Sequence, residues 1–185
     1  TIPHHLGAAP SMVICKSITQ NRGFPIQHVG LTSAAYAIFL SSNNAQAENF
    51  SSGSTNTWNN TAASSSVVTL GNNANNNRVD DNDQYIMFSF AEKQGYSKFS
   101  SYIGGGSDFP FIYTGFKPAF VMVKQTNASG EDWFICDNKR EGYNAENNRL
   151  LPNATDTEST DSPINILSNG FKATTSGANV NASGG

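Results

Sequence analysis

Seven residues ending at Lys16, PSMVICK, return 108 positions later as PAFVMVK, ending at Lys124. The likeness continues downstream in the same order. FPIQHV from Phe24 matches WFICDN from Trp133 at an offset of 109. YAIFLSSNNAQAE resembles NRLLPNATDTEST, each an apolar run followed by a polar loop. SSVVTLGN resembles SPINILSN at an offset of 97, which sets Leu70 against Leu167. Four segments in one order are the mark of a duplicated unit. The fold must therefore accommodate two versions of one building block. The spacing divides the chain into a first unit, 1–116, and a second, shorter unit, 117–185.

The two copies differ at their ends. In the first, NNNRVDDND leads into QYIMFSFAE; in the second, GANVNASGG holds the equivalent place. SYIGGGSDFPFIYTGF precedes the second P-x-x-x-V-x-K run, whereas only TIPHHLGAA precedes the first. The chain also begins at Thr1 rather than Met. These differences read as a window cut out of phase with a longer repeating array. The expectation is a parent polypeptide that continues with a strand like TYIYxAFAE.

Composition decides what kind of unit is repeated. The polar residues are mostly Asn, Ser, Thr and Gly rather than Lys and Glu, and charged residues make up only 14%. Thr and aromatics favour strands, and Asn, Ser and Gly favour turns. Strand-like runs are SMVICK, FPIQHV, AAYAIFL, SSVVTL, QYIMFSFAE, SKFSSYI, PFIYTG, AFVMVKQ, DWFICD, NRLLP, PINILS and GFKATT, most of them separated by turn residues. QYIMFSFAE is apolar on both faces, Ile86, Phe88 and Phe90 against Tyr85, Met87 and Ala91. AFVMVKQ sets Val121 and Val123 against Phe120 and Met122. Both patterns predict central strands covered on two sides. The fold class expected is all-β: an antiparallel β-sandwich of jelly-roll or concanavalin-like type, built from the duplicated unit. Two long polar loops interrupt it, 41–66 and 71–83, and loops of this length are often functional.

Several functions are disfavoured at this level. Net charge is −3 with no basic stripe, which argues against a nucleic-acid partner. No stretch approaches the roughly 20 apolar residues of a membrane-spanning helix, so no membrane insertion is expected. Cys15 and Cys136 sit in apolar runs and read as buried thiols, with a disulfide between strands as the alternative. No GxSxG motif or phosphate-binding glycine loop is present; IGGGSD precedes a strand. Glycan hydrolysis needs two carboxylates about 5 to 10 Å apart across a cleft. Asp80, Asp83, Glu92, Asp108, Asp132 and Asp137 are the candidates, and none has a distinctive motif around it. The chain is therefore expected not to be an enzyme.

Two binding sites remain as candidates. Trp58 lies in TNTWNNTA beside Asn59 and Asn60. An indole among amides can stack on a sugar while the amides bind its hydroxyls; equally, it can plug its own loop onto the sandwich. Tyr143, in EGYNAENN, carries the same ambiguity. Asp80, Asp81 and Asp83, in DDND, could offer oxygen ligands to Ca²⁺; equally, they suit a turn before a strand. His4, His5 and His28 lack metal-ligand spacing, and the Asn-X-Ser/Thr sequons follow from composition.

The combination LGxxPxMVxxK, WNNTA, YIMFSFAEKQGYSKFSSYIGGGSxxxPFIYTGFKPAFVMVK and LSNGFK resembles a β-rich repeat of tail-fibre-like structural proteins from tailed bacteriophages, especially marine and cyanobacterial ones. The resemblance covers almost the whole chain and is strongest from Tyr85 to Lys124. It implies a lectin-like β-sandwich on a virion surface, extracellular in location, with other virion proteins as partners. Homo-oligomerisation is expected, a trimer first, with host-surface carbohydrate as a candidate ligand. A head decoration or other filament component without ligand, and a glycan-degrading tailspike domain, are the alternatives. The resemblance brings no catalytic residues.

Overall fold

The computed structural model describes residues 1–48, 56–78, 82–140, 148–161 and 163–185. Among the described residues, thirteen strands and one short helix follow in chain order. They are β1 (Ile2–Pro3), β2 (Met12–Ser17), β3 (Pro25–His28), β4 (Tyr36–Phe39), β5 (Ala47–Glu48), β6 (Val67–Val68) and β7 (Tyr85–Phe90). Then come β8 (Phe111–Tyr113), β9 (Phe120–Val123), β10 (Phe134–Asp137), β11 (Arg149–Leu150), β12 (Ile164–Leu167), β13 (Gly170–Ala173) and α1 (Ala178–Asn181). Every pairing between named strands is antiparallel, so the chain is all-β as its composition requires. The run SKFSSYI, expected as a strand, forms none.

Two compact units result. The first comprises Thr1–Ser41 and Gln46–Lys93; the second comprises Ser42–Ala45 and Gln94–Gly185. The boundary of 116/117 is one of sequence copies. Packing divides at Lys93, because the segment after Gln94 supplies β8 to the second unit.

The first unit is built on a five-stranded sheet in the order β5-β4-β3-β2-β7, with β1 and β6 paired separately. β2 alternates half-buried and buried residues, as a strand with one core-facing side should. Its inward residues Val13 and Cys15 join Ala37, Val68 and Trp58 in one core cluster. The second unit is a sandwich of two three-stranded sheets, β11-β10-β9 and β12-β13-β8. Val121, Phe134 and Cys136 from one sheet meet Ile112, Ile164, Ile166 and Phe171 from the other, with Val180 of α1.

Two expectations about strand position are corrected. β7 and β9 both lie at sheet edges, although their sequences are apolar on both faces. Alternation reports which side chains share a face; it carries no information on whether another strand or layer covers that face. The alignment of the last repeated segment also changes. β6 pairs with β1, and β13 pairs with β8, the strand 108 residues on. The spatial counterpart of β6 is thus β13, and Val68 answers to Ala173 rather than Leu70 to Leu167.

Local details recur between the units. Gly7 and Gly115, 108 apart, both have positive φ, +73° and +84°. Lys16 and Lys124 each donate from Nζ to the carbonyl of the next residue, at 2.5 and 2.6 Å. Val29 N–H bonds Ser11 O at 3.0 Å, and Asn138 N–H bonds Ala119 O at 3.0 Å. The Asn77 side-chain amide donates to the carbonyl six residues earlier, Gly71, at 3.1 Å. Asn181 does the same to Thr175 at 2.9 Å. Both asparagines also close a backbone bond to the residue four before, at 2.8 Å.

Candidate functional site

The loop carrying Trp58 folds inward. Asn56, Thr57 and Trp58 are 2%, 1% and 0% exposed. Gln27, on the core side of β3, donates from Nε2 to Thr61 O at 3.0 Å and accepts from Ala63 N at 3.1 Å. Thr57 O accepts from Asn76 Nδ2 at 2.6 Å and from Gly71 N at 2.9 Å. These bonds bind the loop to the sheet and press the indole into the core. The stacking platform is therefore corrected: a ring without exposed surface cannot receive a sugar. Trp133, expected in the core, is 4% exposed. The sequence signal for the plug was Gln27, a bifunctional amide at a core-facing position and able to hold a loop by both ends.

Asn59 and Asn60 stay at the surface and make the turn. Both have positive φ, +51° and +52°, and Thr61 N closes on Trp58 O at 3.0 Å. Asparagine tolerates this left-handed geometry better than most residues. Asn60 is further held by the Asn56 side chain, through the amide pair and through its own N–H to Asn56 Oδ1 at 2.9 Å. Tyr143 lies outside the described residues, as do Asp80 and Asp81.

Asp83 is described, and its oxygens are occupied by protein donors. Thr19 Oγ1 donates to Oδ1 at 2.8 Å; Tyr85 OH and Arg22 Nε donate to Oδ2 at 3.0 and 3.2 Å. Its side chain has no exposed surface. Burial by itself would raise the carboxyl pKa. The bonds from Thr19, Tyr85 and Arg22, with the Arg22 charge, outweigh that and hold it below the usual carboxylate range. The Ca²⁺-ligand expectation is corrected for Asp83, whose carboxylate anchors the start of β7 instead. Among the described residues no cluster of three His, Cys, Asp or Glu side chains could hold a metal.

Other candidate carboxylates are also bound to their own surroundings. Asp137 accepts from Lys139 N at 2.8 Å, Arg140 N at 3.0 Å and Arg140 Nε at 2.8 Å. Burial opposes its ionisation, but these bonds prevail and lower its pKa. Asp132 accepts from Asn153 Nδ2 at 2.7 Å, while Asn153 Oδ1 accepts from Trp133 N at 2.8 Å. His4 bonds Ser64 O through Nε2 at 3.0 Å, and His28 accepts Gly30 N on Nδ1 at 2.9 Å. Cys15 and Cys136 are buried free thiols, and burial pushes the Cys15 pKa up to about 12.

Two features escaped the sequence reading. Gly104, Gly105 and Gly106 form a backbone cradle for the segment 181–185. Gly104 N bonds Gly185 O at 2.8 Å, Gly184 N bonds Gly104 O at 3.0 Å, and Gly106 N bonds Asn181 O at 3.0 Å. The second feature is apolar surface. Ile86, Phe88 and Phe90 of β7 are 44%, 46% and 40% exposed; Phe111 and Tyr113 of β8 also face water.

These features define an antiparallel all-β protein of two units, with exposed apolar strand faces. The chain belongs to the family described as Domain of unknown function (DUF7483), whose family model matches residues 1–185. Searches of curated proteins and of solved structures give no match.

Proposed function

We propose that the chain is a structural protein of a bacteriophage virion, in a tail fibre or other surface appendage, and that it acts by assembling with other protein rather than by catalysis. The phage assignment rests on the resemblance of Tyr85–Lys124 and the flanking motifs to tail-fibre-like repeats. The observation that carries the assembling role is the stripe Ile86, Phe88 and Phe90, three alternate residues on one strand, each at least 40% exposed. Contiguous apolar surface of this kind marks a protein contact. Burial of Trp58 favours a scaffold over a glycan-binding module.

Light scattering over a concentration series tests this. Wild type is expected to form a closed homo-oligomer, and Phe88→Ser to shift it to monomer with the fold intact. A wild-type chain that stays monomeric at every concentration, alone and with its virion partners, would overturn the reading. Electron microscopy of whole particles then identifies the appendage.

A further inference from the structure

We infer that the outer edge of β9 is an acceptor for an added antiparallel strand with the chemistry of β7. The inference stands whether or not the chain serves in a virion. In the first unit, β2 is paired on both sides, by β3 and by β7. In the second unit, β9 occupies the place of β2, to judge by the shared lysine bond, the shared glycine conformation and the matching bond to the following strand. β9 pairs with β10 on one side, and it is the edge of its sheet. Its sequence nevertheless has apolar residues on both faces, with Phe120 57% exposed.

The corner where such a strand would enter is also prepared. In the first unit the chain leaves the Asn77 turn and enters β7 opposite Ser17. Ser17 is fully buried, and the segment before β7 meets it: Ser17 Oγ donates to Asp83 Oδ1 at 3.5 Å, and Ile18 N bonds Gln84 O at 2.8 Å. The counterpart of Ser17, 108 residues on, is Gln125. Its Oε1 is buried with no hydrogen-bond partner among the described residues. The segment after the Asn181 turn comes to this corner, where Asn127 Nδ2 bonds Gly184 O at 2.9 Å. An unmet buried acceptor stands where the first unit has the lead-in to β7.

The register follows from β2. β7 sets Phe90, Phe88 and Ile86 opposite Met12, Ile14 and Lys16. On β9 the same strand would set them opposite Phe120, Met122 and Lys124. Because Ala119 O points to β10, alternation turns the N–H and C=O of Phe120, Met122 and Lys124 to the free edge. Main-chain bonds supply affinity and the alternate apolar side chains supply register, as in other strand additions.

The experiment titrates the full chain with a synthetic peptide of residues 82–92, NDQYIMFSFAE, and follows amide hydrogen exchange. Exchange at Phe120, Met122 and Lys124 is expected to slow by about tenfold. A peptide N-methylated at Phe88, which blocks the pairing side, is expected to lose that effect; methylation at Met87, on the other side, is expected to retain it. A Met122→Pro chain, lacking the outward N–H, is expected to lose binding. The peptide controls keep the test decisive if that variant unfolds. No protection at β9, protection confined to the outer edge of β7, or protection of β9 that rises with chain concentration without peptide would each overturn the proposal. The last result would make a second copy the occupant.

Discussion

Gly104 lies so close to Ala182 that a Cβ built on it would sit 2.1 Å from the Ala182 carbonyl oxygen. Backbone packs directly on backbone there, and any side chain would force the segment 181–185 away. Gly104→Ala is therefore expected to destabilise the second unit by about 2 kcal/mol or more, the scale of overpacking a closed site. Gly95 is the comparison: its φ is +75°, but a Cβ would meet nothing within 4 Å. Gly95→Ala should lose only about 1 kcal/mol of backbone strain. Denaturant unfolding of both variants checks the difference.

Trp58→Ala should cost about 3–5 kcal/mol, the range for emptying a large aromatic site. Trp58→Phe should cost clearly less, because the indole Nε1 has no hydrogen-bond partner to lose among the described residues. The chain has two tryptophans, and both are buried. Native fluorescence should accordingly resist quenching by acrylamide. Strong quenching in the folded chain would mean that an indole is exposed.

Replacing Asp83 should lower the melting temperature in a graded order. Asp83→Asn keeps the shape and one acceptor but loses the charge that Arg22 faces. Asp83→Ala removes an acceptor shared by Thr19, Tyr85 and Arg22 and leaves Tyr85 OH only the Ala74 carbonyl, at 2.9 Å, as its acceptor among the described residues. The expected order is wild type, then Asn, then Ala, by thermal denaturation. An unchanged alanine variant would contradict the anchoring role.

Acid should destabilise the fold in two steps. Burial holds the His28 pKa below its ordinary 6.5, so the unfolded chain takes up that proton first and stability falls as pH drops through about 6.5. Asp83, Asp137 and Asp161 have depressed values. Their contribution is complete above their unfolded value near 3.8 and is lost as pH falls below it. His28→Asn should remove the upper step while keeping an acceptor for Gly30 N, as Asp137 does for Lys139 N at 2.8 Å. Denaturation midpoints measured across pH give both steps.

The strands were legible because their signal is local. MVICKS, YIMFSF and INIL alternate or run apolar, and turn residues bound them. The recurrence of Lys16 at Lys124 was legible too, and its meaning is now a shared bond to the next carbonyl. Asn77 and Asn181 were present in the sequence but hidden among many asparagines; only their common hydrogen bond singles them out. The sequence leaves Trp58 open to both roles, because an indole in a polar loop can meet a ligand or plug the core. Gln27, far away in sequence, decided between them.

The sequence by itself determined that the chain is all-β, that four segments recur in one order about 100 residues on, and that β7 and β9 carry apolar residues on both faces. Tertiary structure alone decided that both strands lie at edges, that the loop of Trp58 closes inward, and that three glycines cradle the segment 181–185. The reason is range. Alternation and turn chemistry act over a few residues, whereas edge position, burial and close backbone approach depend on segments dozens of residues apart meeting in space.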